Sequence, residues 1–186
     1  TAEAIVKHHP DTPFTEDFRL RERDKGKLSG KSIQDALNLV KEEGTTYGDY
    51  GEPEQDFKAR VVDFFNDIIT KHLPKNDDPG SSPSNKRNSH ILLVTHGGVI
   101  RKLIKEYLIA DLDFSVNNLN MNHSAKNTSV TKFVVRRAES LNSTVNDDDA
   151  TNIEQMIKIK GEITLWSCVS HLATQGKRAL SDSHIK

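Results

Sequence analysis

The chain has 186 residues, enough for one domain, and 34% of them are hydrophobic; that share is low for a compact globule, so some of the length is expected in loops or disorder. A formal net charge of -1 offers no electrostatic footprint for nucleic acid or an anionic membrane surface. A single cysteine, Cys168, excludes an internal disulfide and fits a reducing, cytoplasmic setting, and no window is apolar for long enough to span a membrane.

Residues 1–9 read as part of a helix stopped by His9-Pro10. Thr1-Ala2-Glu3-Ala4 has the pattern of mid-helix, so a further N-terminal segment is expected ahead of it. The charged stretch from Phe18 to Gly26 is expected to be short and extended, with Gly26 and Gly30 as turn punctuation. Such a cluster can be a solvated face. A carboxylate flanked by arginines can also hold a proton donor beside an anion, which makes Glu22 a candidate general acid and Arg23 a candidate phosphate ligand.

Ser32 is placed to cap a helix, with Asp35 three positions on, an apolar stripe of Ile33, Ala36, Leu37 and Val40, and Gly44 at its end. Loop 45–53 is polar. A longer helix over about 54–73 carries Phe57, Val61, Phe64, Phe65, Ile68 and Ile69 toward a core. Residues 75–90 are rich in Asn, Asp, Ser, Pro and Lys and are expected to be a disordered insertion within the domain.

Residues 91–104 then form the organising unit. Ile91-Leu92-Leu93-Val94 is a continuous apolar run, the pattern of a strand buried on both faces. Val99, Ile100, Leu103, Ile104, Tyr107 and Leu108 recur at helical spacing. Between them Thr95-His96-Gly97-Gly98 leaves room only for a tight turn. His96 would therefore stand between a strand end and a helix start, where free N–H groups and a partial positive charge suit an anion. It is either a hydrogen-bonded turn histidine or a ligand-facing one.

A polar loop over 111–127 leads to a strand beginning at Val130, and the acidic connection 138–152 reads as a solvated hairpin loop. Ile153 to Leu172 alternates well enough for one or two strands, with Cys168 expected as a buried structural thiol. A mobile tail is expected over 173–186, so that 1–172 make a single domain.

Three stretches together resemble the histidine phosphatase, or phosphoglycerate mutase-like, superfamily. They are Leu20-Arg21-Glu22-Arg23-Asp24-Lys25-Gly26 with Gly30-Lys31, Gly51-Glu52 with Arg60 and Val61-Val62-Asp63-Phe64-Phe65, and Val94-Thr95-His96-Gly97-Gly98. Within the superfamily they are most similar to the TIGAR-type fructose-2,6-bisphosphatase branch, over residues 1 to about 135. The resemblance implies an α/β fold, a three-layer sandwich around a mostly parallel central sheet, here lacking its first strand and so an incomplete domain. It implies phosphoryl transfer through a phosphohistidine, with no metal or cofactor, acting on a small phosphorylated metabolite. His96 would be the second histidine of the site, and the Gly97 N–H a backbone donor to the phosphoryl group. Glu22 would protonate the leaving alcohol, Arg23 would bind substrate phosphate, and Asn127 and Thr128 would lie near the pocket rim. Arg60 matches a family position that is either functional or structural.

The family's Arg-His-Gly strand, which carries the attacking histidine, would precede Thr1, so residues 1–186 alone are expected to be nearly inactive. Two other readings stay open: a non-catalytic phosphate-binding or interaction module, and a phosphoglycerate mutase. No nucleic acid or membrane partner is expected, and the oligomeric state is undetermined by the sequence.

Overall fold

The computed structural model describes residues 1–73, 89–138 and 158–175. In chain order these form α1 (Ala2–Val6), 3-10 turns at Phe18–Leu20 and Gly26–Leu28, α2 (Ile33–Glu42), a 3-10 turn at Tyr47–Asp49, and α3 (Glu54–His72). Then come α4 (Gly97–Ile100), which runs directly into a π-helical segment (Arg101–Ile109), β1 (Ser115–Val116), β2 (Val130–Arg137), β3 (Ile159–Cys168), and a 3-10 segment at Ser170–Gln175. Residues 74–88, 139–157 and 176–186 lie outside the described residues, and with them most of the insertion expected over 75–90, the connection over 138–152 and the tail over 173–186. No described helix is long and apolar enough to cross a membrane.

The core forms where α3 meets the π-helical segment and β3. Phe57, Val61, Phe65 and Ile69 of α3 pack with Val99, Leu103, Ile104 and Leu108, and the cluster is closed by Phe114, Ile163 and Trp166. The helical members of this cluster are positions that the apolar spacing assigned to the core, whereas Ile68, expected with them, is half-buried. The Phe65 ring meets Tyr107 edge-on at 5.8 Å and Phe133 at 6.2 Å. Burying a side chain of this size contributes about 2–3 kcal/mol.

The three strands form a mixed sheet in the order β1-β3-β2, with β1 and β3 parallel and β2 and β3 antiparallel. Gly161 of β3 sits under the Phe114 ring and against the Val134 carbonyl, so any side chain there would collide with both. The two-residue β1 falls inside the loop expected over 111–127, too short to show a period.

Several expectations change. The apolar run Ile91–Val94, expected to be a strand buried on both faces, forms no regular element and pairs with no strand among the described residues. Ile91 and Leu92 are 44% and 68% exposed. A strand exists only through a neighbour's backbone hydrogen bonds, and here a cleft of about 270 Å³ opens instead between Ser89–Leu92 and Lys132–Phe133 of β2. The charged stretch 18–26 is bracketed by 3-10 turns at Phe18–Leu20 and Gly26–Leu28, with residues 21–25 between them in no regular element and Arg21 extended as expected. The first is capped by the Asp17 carboxylate, which accepts from the Arg19 N–H at 2.9 Å.

Ser32 caps α2 as expected, accepting from the Asp35 N–H at 3.1 Å. Gly44 ends it with φ of +63° while the Thr45 N–H reaches back to the Val40 carbonyl. Only part of its apolar stripe is covered, however: Ala36 is buried with Leu28 and Tyr50, while Ile33 and Leu37 are about half exposed. Cys168 is half-buried rather than buried, because β2 pairing stops at its level. The Ser170 hydroxyl, 3.1 Å from its sulfur, and the Ser170 N–H hold the thiol below its ordinary value.

Candidate functional site

The site is assembled at the start of α4. His96 is the residue before the helix, in an extended conformation, and its carbonyl accepts the Ile100 N–H at 3.0 Å. Its imidazole is exposed and has no hydrogen-bond partner among the described residues. Gly97 is exposed too, with nothing within 4 Å of the place a Cβ would occupy. The first N–H groups of a helix have no partner within it. One of them, from Gly98, donates to the Glu22 carboxylate at 3.2 Å, across 76 positions of sequence.

Glu22 is half-buried and accepts a second backbone bond, from the Arg23 N–H at 3.0 Å. A side chain on Gly98 would run into the Glu22 carboxylate, so the glycine is what admits it. Thr95 fastens the approach from the other side, its hydroxyl donating to the Leu20 carbonyl at 2.6 Å. The Glu22 carboxylate therefore rests at a helix start on the Gly98 N–H, two positions after the exposed His96. A carboxylic acid there can give or take a proton, and the unpaired N–H groups can face an anion.

Arg23 follows Glu22 in sequence but its guanidinium turns the other way. It donates to the Glu52 carbonyl at 2.7 Å and to the Gly48 carbonyl at 3.4 Å, and pairs with the Glu54 carboxylate at 3.0 Å. Glu54, at the first turn of α3, is also the partner of Lys102, a lysine only 4% exposed whose ammonium pairs with Glu106 at 2.6 Å as well. The Lys102 ammonium chiefly, with Arg23 and Arg101 adding to it, holds the Glu54 carboxyl below the usual carboxylate range.

Asn127 and Thr128 lie on an exposed turn leading into β2. Their bonds stay within it: the Thr128 hydroxyl donates to the Asn127 carbonyl at 2.7 Å, and Ser129 N–H to the Lys126 carbonyl. Neither residue shares a hydrogen bond with Glu22, Arg23 or the 96–98 turn.

A missing Cβ at Gly98 suits close approach of an anion, and the anionic group it admits is the Glu22 carboxylate of the chain itself. Sequence reasoning passed over other residues that build this site. Glu54 and Lys102 were not singled out. Lys102 follows Val99 by three positions, on the buried side of the helix, and that spacing was the available signal. Two loops also meet back to back here: Gly51, with φ of +68°, lies against the Asp24 carbonyl and the Gly26 nitrogen, leaving no space for a Cβ. The Glu52 N–H then donates to the Asp24 carbonyl at 3.0 Å.

Comparison with curated proteins gave no match. The family model of the histidine phosphatase superfamily (branch 1) matches residues 1–148. That span holds Glu22, His96 and every residue described around them, and the chain belongs to the histidine phosphatase superfamily.

Proposed function

We propose that this chain belongs to a phosphatase of small phosphorylated metabolites, with sugar bisphosphates of the fructose-2,6-bisphosphate type the leading substrate class. Family membership supports phosphoryl-transfer chemistry in general. The observation that carries the assignment of roles is the 3.2 Å bond from the Gly98 N–H to Glu22, which brings a carboxylate beside the His96 turn.

In this reading His96 and the Gly97 N–H donate to the equatorial oxygens of the transferring phosphoryl group, where charge develops in the transition state. Glu22 protonates the leaving alcohol and then takes a proton from the water that hydrolyses the phosphohistidine. Arg23 holds a substrate phosphate once that phosphate displaces Glu54 from its guanidinium. Asn127 and Thr128 are proposed to contribute from the pocket rim. The attacking histidine is assigned to no residue of this chain. We read it as belonging to an Arg-His-Gly strand ahead of Thr1, which would lie between Ile91–Val94 and β2 and complete a largely parallel, three-layer arrangement.

The test joins the in-frame upstream sequence to residues 1–186 and measures phosphate release from sugar bisphosphates. Turnover is expected from the longer polypeptide and near-zero turnover from residues 1–186 alone. In the longer protein His96→Ala and Glu22→Gln should each lower kcat by about a hundredfold or more. Unchanged turnover in both variants would overturn the roles. Activity should survive EDTA, and its abolition by chelation would point to a metallophosphatase instead.

A further inference from the structure

We infer that Arg60, clamped by Glu52, is the positioning residue that holds Glu22 against the start of α4. This rests on the reading of Glu22 as the proton donor, and its geometry stands apart from that reading.

The backbone from Arg19 to Asp24 belongs to no helix or sheet beyond its first 3-10 turn, so its carbonyls need partners from elsewhere. Arg60 supplies them from α3. One of its terminal nitrogens donates to the Arg19 carbonyl at 2.5 Å and to the Arg21 carbonyl at 2.9 Å, and the other reaches the Glu22 carbonyl at 3.3 Å. The remaining donors go to Glu52, at 2.6 and 2.8 Å, so the guanidinium is pinned by a two-point carboxylate bond. Its flat face lies over the Phe57 ring, 4.7 Å from the centroid. The side chains of Arg60 and Glu52 are 14% and 10% exposed.

Glu52 extends the grip past Glu22. Its N–H donates to the Asp24 carbonyl and its carbonyl accepts from the Arg23 side chain. The one carbonyl between 19 and 22 that Arg60 leaves free, that of Leu20, is taken by the Thr95 hydroxyl next to His96. The Glu22 main chain is thus fixed on both sides by a single ion pair, and its carboxylate is delivered to Gly98. Lysine cannot replace Arg60 in this, because an ammonium has its donors on one atom and cannot span three carbonyls and a carboxylate at once. All five of the Arg60 hydrogen bonds among the described residues go to Glu52 and to main-chain carbonyls, so its role is one of position.

Amide hydrogen exchange on residues 1–186 tests the inference without any turnover. The Gly98 N–H is bonded to Glu22, whereas the amides of Leu103, Ile104 and Leu108 lie deeper in the same helix. In Arg60→Lys, Gly98 should exchange about tenfold faster, matching Glu22→Ala, while the three deeper amides keep their rates. Gly98 exchange unchanged in a folded Arg60→Lys overturns the inference, and so does uniform acceleration of all four amides. Should Arg60→Lys not fold, Glu52→Gln takes its place with the same expectations.

In the longer polypeptide Arg60→Lys should lower kcat about tenfold or more with KM little changed. If Glu22→Gln leaves turnover intact there, the proton-donor reading fails, while the exchange result still decides whether Arg60 positions Glu22.

Discussion

The Glu22 carboxylate sits in the space that a side chain on Gly98 would fill. The backbone of α4 at Gly98 has no positive φ, so alanine is conformationally acceptable there and in a helix is favoured by about 1 kcal/mol. The obstacle is only the far end of a flexible glutamate. Gly98→Ala should therefore keep or slightly raise the urea midpoint of unfolding while pushing Glu22 off the helix start. In the longer polypeptide kcat should fall about tenfold or more. A variant that is as active as the parent would show that the carboxylate need not rest there.

Gly51 presents the opposite case. It has φ of +68°, and its missing Cβ faces the main chain of Asp24 and Gly26, which cannot swing aside. Gly51→Ala should destabilise the chain by about 2 kcal/mol or more, combining the left-handed penalty with separation of the two loops. Because the loops also anchor the Glu22 segment, Gly98 exchange should rise along with it. Denaturant unfolding of Gly51→Ala beside Gly97→Ala, where the Cβ meets open space, provides the comparison.

What was legible in the sequence follows the range of the interactions concerned. The apolar stripes of α3 and of residues 99–108, the Ser32 cap and the Gly44 stop are set within a few residues, so period and punctuation expose them. The 91–94 run has the composition of a buried strand, but pairing depends on a neighbour that composition cannot supply. Charge pattern and the tight turn pointed to Glu22 and to residues 95–98 separately, but the Glu22–Gly98 bond and the Arg60 bonds to residues 19–22 span 38 to 76 positions, and no local pattern joins them. Glu54 and Lys102 carry no local mark beyond Lys102 falling on an apolar helix face.

Lys102 is the one buried charged side chain among the described residues, and it ties the start of α3 to the π-helical segment. Its partners are Glu54 and Glu106, and Glu54 keeps Arg23 and Arg101 as further cations. Lys102→Ala removes both the ammonium and its packed stem, and should cost about 3 kcal/mol. Lys102→Met keeps the volume, and Glu54 retains its arginines, so its cost should be about 1 kcal/mol or less. Equal losses in the two variants, read from urea unfolding, would mean that the charge rather than the stem carries the stabilisation.

Acid sensitivity should trace to the clamp around Glu22. The Arg60 guanidinium holds the Glu52 carboxyl below the usual carboxylate range, as Lys102 does Glu54 and Arg19 does Asp17. A depressed value in the folded chain means that the unfolded chain takes up the proton first as pH falls. The contribution is therefore complete above the ordinary carboxylate value of about 4.3 and is lost as pH drops through the folded value. Glu52→Gln has no such proton to bind. It should be less stable than the parent at neutral pH, by about 2 kcal/mol for an enclosed two-point pair, and the gap should close below about pH 4. Urea midpoints of both proteins across that range measure the gap directly. A difference that stays constant into acid would mean that Glu52 is protonated alike in the folded and unfolded chains, and that its hold on Arg60 does not depend on charge.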